Sequence, residues 1–87
     1  MKIVINTCFG GFSLSQEAMN RYRKEKGATG RISRDDEVLV KIVEELGTKA
    51  NGFYSELKIV EIPDDVKWCI EDFDGKEWVA EEHRTWD

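Results

Sequence analysis

The chain has 87 residues, room for one small domain whose core buries only about 60–65% of the unfolded surface. Its 18 Asp and Glu exceed its 13 Lys and Arg, and a net charge of −5 argues against nonspecific nucleic-acid binding by the whole surface. Two cysteines, Cys8 and Cys69, with the single histidine His83, make neither a disulfide framework nor a zinc set, and no apolar run reaches membrane length.

Lys2–Thr7 reads as a strand, its Ile3-Val4-Ile5 run implying burial on both faces. Phe9-Gly10-Gly11-Phe12 follows as a turn, two glycines permitting a close backbone approach between two aromatics. Ser13 and Gln16 have capping-box spacing and Ser15 is the alternative cap. The helix then runs to about Lys26 and ends at Gly27, with Leu14, Ala18, Met19 and Tyr22 on its packing face. After the loop Gly27–Ile32, Ser33 or Asp35 caps a second helix, whose stripe is Leu39, Ile42, Val43 and Leu46 and whose first stop is Gly47.

The remainder reads as β. Tyr54–Ile62 is a strand with Leu57, Ile59 and Val60 inward, and Pro63-Asp64-Asp65 is a turn. Val66–Phe73 and Lys76–Arg84 flank Asp74-Gly75, a hairpin signal that pairs Ile70 with Val79 and Glu71 with Trp78. The expected fold is one α+β domain over residues 1–87 in the order β-α-α-β-β-β. Two helices pack on a mostly antiparallel sheet that carries a C-terminal hairpin.

Charge is divided along the chain. Residues 1–34 hold seven Lys and Arg against Glu17 and Glu25, whereas residues 35–87 hold six against sixteen acidic groups. The strand, the Gly-Gly turn and the helix start together offer backbone N–H groups and a helix dipole to an anion. Phe9, Gly10, Gly11 and Phe12, with Arg21, Arg31 and Arg34 around them, are the candidate ligand-binding residues. The purely architectural alternative is a tight strand-to-helix connection. The spacing matches neither dinucleotide nor P-loop fingerprints. Ser13 and Ser15 read as caps, His83 as a tail or edge-strand residue, and the two cysteines as buried free thiols. No catalytic residue, metal or cofactor is assigned.

Two long stretches carry a resemblance. MKIVINTCFGGFSLSQEAMNRY at one end, and RDDEVLVKIVEELGTKANGFYSELKIVEIPDDVKW running into CIEDFDGKEWVAEEHRTW at the other, resemble a group of small phage and prophage proteins. Longer members of that group carry extra residues between the helices, where this chain has only Gly27–Ile32. The resemblance implies a phage accessory gene and a soluble α+β fold, and it supplies no catalytic residues.

The function expected from these features is non-enzymatic. A cytoplasmic phage accessory protein would counter host defence by sequestering a small phosphorylated, cyclic nucleotide-like ligand at the Gly-Gly turn. The alternative is an acidic protein–protein inhibitor of a host effector, its hairpin occupying a nucleic-acid groove. The partners are thus a small anionic ligand or a host defence protein, with no membrane partner. A core this small also implies a homo-oligomer.

Overall fold

The computed structural model describes residues 1–27 and 32–81. Arg31 and His83 lie outside the described residues. The elements follow the expected order: β1 (Lys2–Asn6), α1 (Gln16–Lys26), α2 (Glu37–Leu46), a 3-10 turn (Gly47–Ala50), β2 (Leu57–Glu61), β3 (Trp68–Phe73) and β4 (Lys76–Glu81).

Antiparallel pairing divides these strands into two two-stranded sheets, β1 with β2 and β3 with β4, rather than one continuous sheet. The reason lies at the second edge of β1. Its Val4 N–H donates to the Arg34 carbonyl at 2.9 Å, and its Asn6 N–H donates to the Glu77 carboxylate at 2.8 Å. A loop carbonyl and a side chain thus satisfy the edge that a third ladder would otherwise use.

The β-branched run of β1 is buried on both faces, as its composition requires. Val4 joins the cluster formed by Ala18 and Tyr22 of α1, Leu39, Val40, Ile42 and Val43 of α2, and Ala50. Leu57 and Ile59 of β2 pack on the same cluster, opposite β1, through a register that sets Ile59 against Val4. Ile3 and Ile5 are also buried, and alternation turns them to the other face of β1; β4 is in contact with this strand. None of the partly buried apolar residues packed on the helical cluster comes from β3 or β4.

Local chemistry sets the helix ends. Ser15, not Ser13, is the N-cap of α1, its Oγ accepting the Ala18 N–H at 3.1 Å. The Ser13 carbonyl instead receives Gly52 N–H and Ser55 Oγ, which commits that residue to the segment bridging to residues 51–55. Asp36 caps α2, one residue beyond the expected Asp35, because its carboxylate reaches both Val38 N–H and Leu39 N–H. α2 stops at Gly47, as its sequence implies.

Both cysteines are free and only half-buried, so the expectation of buried thiols is corrected: Cys8 sits in an open turn and Cys69 in a thinly covered hairpin strand. Among the described residues no helix is long and apolar enough to cross a membrane.

Candidate functional site

Asn6, the last residue of β1, is completely buried and its amide is fully used. Its Nδ2 donates to the Cys8 and Gly75 carbonyls, both at 2.7 Å, while its Oδ1 accepts from Cys8 N–H at 3.2 Å and Glu56 N–H at 2.9 Å. One side chain therefore ties together the turn after β1, the segment entering β2 and the hairpin turn.

The Gly-Gly turn completes this junction. Gly10 N–H donates to the Asp74 carbonyl at 3.1 Å. A Cβ on Gly10 would lie 2.8 Å from both Cβ and the carbonyl oxygen of Tyr54, and one on Gly75 would lie 2.2 Å from the Gly11 nitrogen. Both glycines have positive φ, so conformation and space alike require them. The close backbone approach read from Gly10-Gly11 is thus made to the tip of the hairpin.

A largely buried ion pair holds the hairpin from its other side. The Arg34 guanidinium meets the Glu77 carboxylate in a forked contact, Nη1 to Oε1 at 2.5 Å and Nη2 to Oε2 at 2.8 Å. The same guanidinium stacks 3.7 Å from the centroid of Phe12. Burial pushes the Glu77 carboxyl up, but the hydrogen bonds from Arg34 and from Asn6 N–H, with the guanidinium charge, more than offset it and hold the group below its ordinary value. Asp36 behaves in the same way: burial raises it, while Tyr22 hydroxyl, two backbone N–H groups and Lys26 bring it below its ordinary value.

Both depressed carboxyls bind protons more readily in the unfolded chain. Their stabilisation is therefore fully present above the ordinary carboxylate range near 4.5 and is lost as pH falls through the lower folded values. Urea titrations from pH 7 to pH 3 are expected to show a flat unfolding free energy that drops below about pH 4.5. Protein carrying both Arg34→Met and Glu77→Leu should lose part of that drop, and an unaltered pH profile in it would exclude Glu77 as its source.

The sequence-derived candidates are distributed as follows. Phe9, Gly10, Gly11, Phe12 and Arg34 all come to the three-turn junction. Arg21 does not: it pairs with Glu45 across the α1–α2 contact. Arg34 arrives with its charge matched by Glu77.

What reaches the surface at this end is aromatic. Among the described residues the exposed large apolar side chains are Phe9, Phe53, Tyr54, Phe73 and Trp78, between 44% and 94% accessible. Phe53 and Tyr54 meet edge-to-face at 5.4 Å, beside Gly10. Lys76 lies 5.7 Å from the centroid of Phe9 and pairs across the hairpin with Phe73. Trp78 follows on the same hairpin face, its Nε1 donating to Glu71 at 3.2 Å. Exposed acidic groups, Glu56, Glu71, Asp72 and Asp74, border these rings.

An open groove of about 490 Å³ runs beside Phe53, lined by Ser13–Gln16 and Asn51–Phe53. Ser15, one of its lining residues, has its Oγ already engaged with Ala18 N–H and the Lys49 carbonyl. Among the described residues no three His, Cys, Asp or Glu side chains gather as metal ligands.

Sequence reasoning missed Asn6, Glu77, Phe53, Tyr54, Phe73 and Trp78 as members of this region. The available signal was the placement of Phe53-Tyr54 directly after Asn51-Gly52, and of Phe73 directly before Asp74-Gly75, since aromatics in turns have no core to enter. Comparison with family models, with curated proteins and with solved structures finds no match, so the geometry alone describes the site.

Proposed function

We propose that this chain is a non-enzymatic, protein-binding accessory factor of phage type, acting in the host cytoplasm on a defence protein. The observation that carries the reading is the collection of five exposed aromatic side chains around one three-turn junction and its hairpin. Aromatic residues dominate protein-interface energetics, and a contiguous exposed aromatic patch marks an interaction surface. The acidic border favours a partner whose apolar patch is rimmed by Lys and Arg. In its full form this is the acidic inhibitor expected as an alternative, with its contact moved from charge alone to aromatic anchors. The small core supports self-association as a further property of the same protein.

A second reading is kept alive by the groove beside Phe53, next to the start of α1. There a small phosphorylated, cyclic nucleotide-like ligand would stack on exposed rings. It is the weaker of the two, because small ligands are held in concave sites that bury most of their surface. Two of the arginines expected to serve it, Arg21 and Arg34, are engaged by Glu45 and Glu77.

The two readings separate in one set of measurements. Immobilised protein is expected to retain a bacterial partner that elutes as salt rises and that is lost from Phe73→Ser/Trp78→Ser protein with unchanged circular dichroism. Retention indifferent to both aromatic substitutions would overturn the protein-binding reading. Calorimetric titration with cyclic and ADP-ribose-derived nucleotides is expected to give no heat; saturable heat abolished by Phe53→Ser would establish the second reading instead.

A further inference from the structure

β3 is the outer strand of the hairpin. β4 lies against β1 and receives the Asn6 N–H through Glu77. Among the described residues, β3 has no backbone ladder other than the one to β4. Six residues of open strand edge form a template for another strand.

We propose that this edge pairs antiparallel with β3 of a second copy, Cys69 facing Cys69 across a two-fold axis, to join two hairpins into one four-stranded sheet. The inference rests on the self-association reading above and gives it an interface.

The register follows from side-chain chemistry. Two antiparallel strands related by a two-fold axis have one residue that faces itself, and neighbours pair outward from it. With Cys69 at the centre, Trp68 faces Ile70 and Lys67 faces Glu71, each pair occurring twice. With Ile70 at the centre, Trp68 faces Asp72 and Cys69 faces Glu71. With Glu71 at the centre, two carboxylates oppose each other. With Trp68 at the centre, Asp65 opposes Glu71. In the Cys69 register the two pairs next to the axis match apolar with apolar and opposite charges with each other, while further out Asp72 faces Val66 and Phe73 faces Asp65. No other register centred within β3 brings both matches next to the axis.

The outer edge of β2 is less open, because Leu57 N–H already donates to Asn51 Oδ1 at 2.8 Å. Centring on Ile59 sets Leu57 against Glu61, and centring on Lys58 sets two ammonium groups together. The β3 axis also has a functional consequence. It stands normal to the joined sheet, so Phe73 and Trp78 of both copies fall on one side and the aromatic surface is doubled.

Sedimentation equilibrium of the full chain over a wide concentration range tests the interface. The wild-type chain is expected to be a dimer. Lys67→Glu and Glu71→Lys should each weaken the dimer about tenfold or more, because each change turns two attractive pairs into two repulsive ones. An equimolar mixture of the two variants should recover dimer, since the mixed pair again sets opposite charges at every contact. In Cys8→Ser protein, dibromobimane should bridge two Cys69 thiols, each displacing one bromide, and give a fluorescent band of dimer size. A wild-type monomer at the highest concentration would overturn both the interface and the self-association reading. A wild-type dimer indifferent to charge reversal and unbridged at Cys69 would overturn this interface alone.

Discussion

Glu77→Ala is expected to leave this domain largely unfolded at room temperature, or to lower its melting temperature by well over ten degrees. The substitution strips the partner from a guanidinium that is mostly buried over Phe12, and removes the acceptor of the Asn6 N–H. Breaking a buried pair from one side costs about 3–5 kcal/mol. A domain of this length has roughly 4–13 kcal/mol in total. The loss should come from the stranded charge more than from the missing carboxylate. Arg34→Met added to Glu77→Leu is therefore expected to recover most of the stability, as buried pairs replaced on both sides by apolar groups often do. Chemical denaturation of the single and double variants checks this; a single variant as stable as wild type would mean that Glu77 does not hold the hairpin.

Gly75→Ala is the second large effect. The added methyl would sit 2.2 Å from the Gly11 nitrogen, against backbone that has no freedom to yield cheaply. At φ +91° the alanine is also strained, by about 1–2 kcal/mol. The hairpin tip must lift, and the contacts of Gly75 with Asn6 and of Asp74 with Gly10 go with it. Gly11→Ala makes a useful contrast, because its Cβ meets nothing and only the backbone strain applies. Thermal denaturation should place Gly75→Ala clearly below Gly11→Ala. Equal melting temperatures would mean that the two turns are not docked.

The contrast also bears on what the Gly-Gly turn does. Read from sequence, its two glycines fit either an anion cradle or a tight connection. In the fold Gly10 approaches Tyr54 and the hairpin tip, and its N–H is taken by Asp74. That contact spans more than sixty residues, and nothing within the first sixteen announces it.

Features set by neighbouring residues were legible in the sequence. Asp74-Gly75 closes a two-residue turn, and such a turn dictates register, so Ile70 faces Val79 and Glu71 faces Trp78 as expected. The stripe of α2 and its stop at Gly47 follow from period and glycine chemistry in the same way. Where two local solutions competed, tertiary contacts chose: the Ser13 carbonyl was claimed by Gly52 and Ser55, leaving Ser15 to cap α1.

The site was less legible because its links are long. Asn6 and Glu77 stand 71 residues apart, and Arg34 and Glu77 stand 43 apart. A glutamate in an acidic strand looks like any solvated carboxylate until an arginine from the other half of the chain is seen beside it. Of the five rings of the aromatic surface the sequence points to Phe9 alone; Phe53, Tyr54, Phe73 and Trp78 join it only once three turns meet.

That surface is the centre of the account, and site-specific photocrosslinking tests it most directly. A benzophenone amino acid would be placed at Phe73 in one protein and at Lys41, on the exposed side of α2, in another. Both would be irradiated in bacterial cells that express them. The protein labelled at Phe73 is expected to yield one discrete adduct with a host protein, while the protein labelled at Lys41 yields none. No adduct from Phe73, or equal adducts from both positions, would contradict the assignment of the aromatic end as the contact surface.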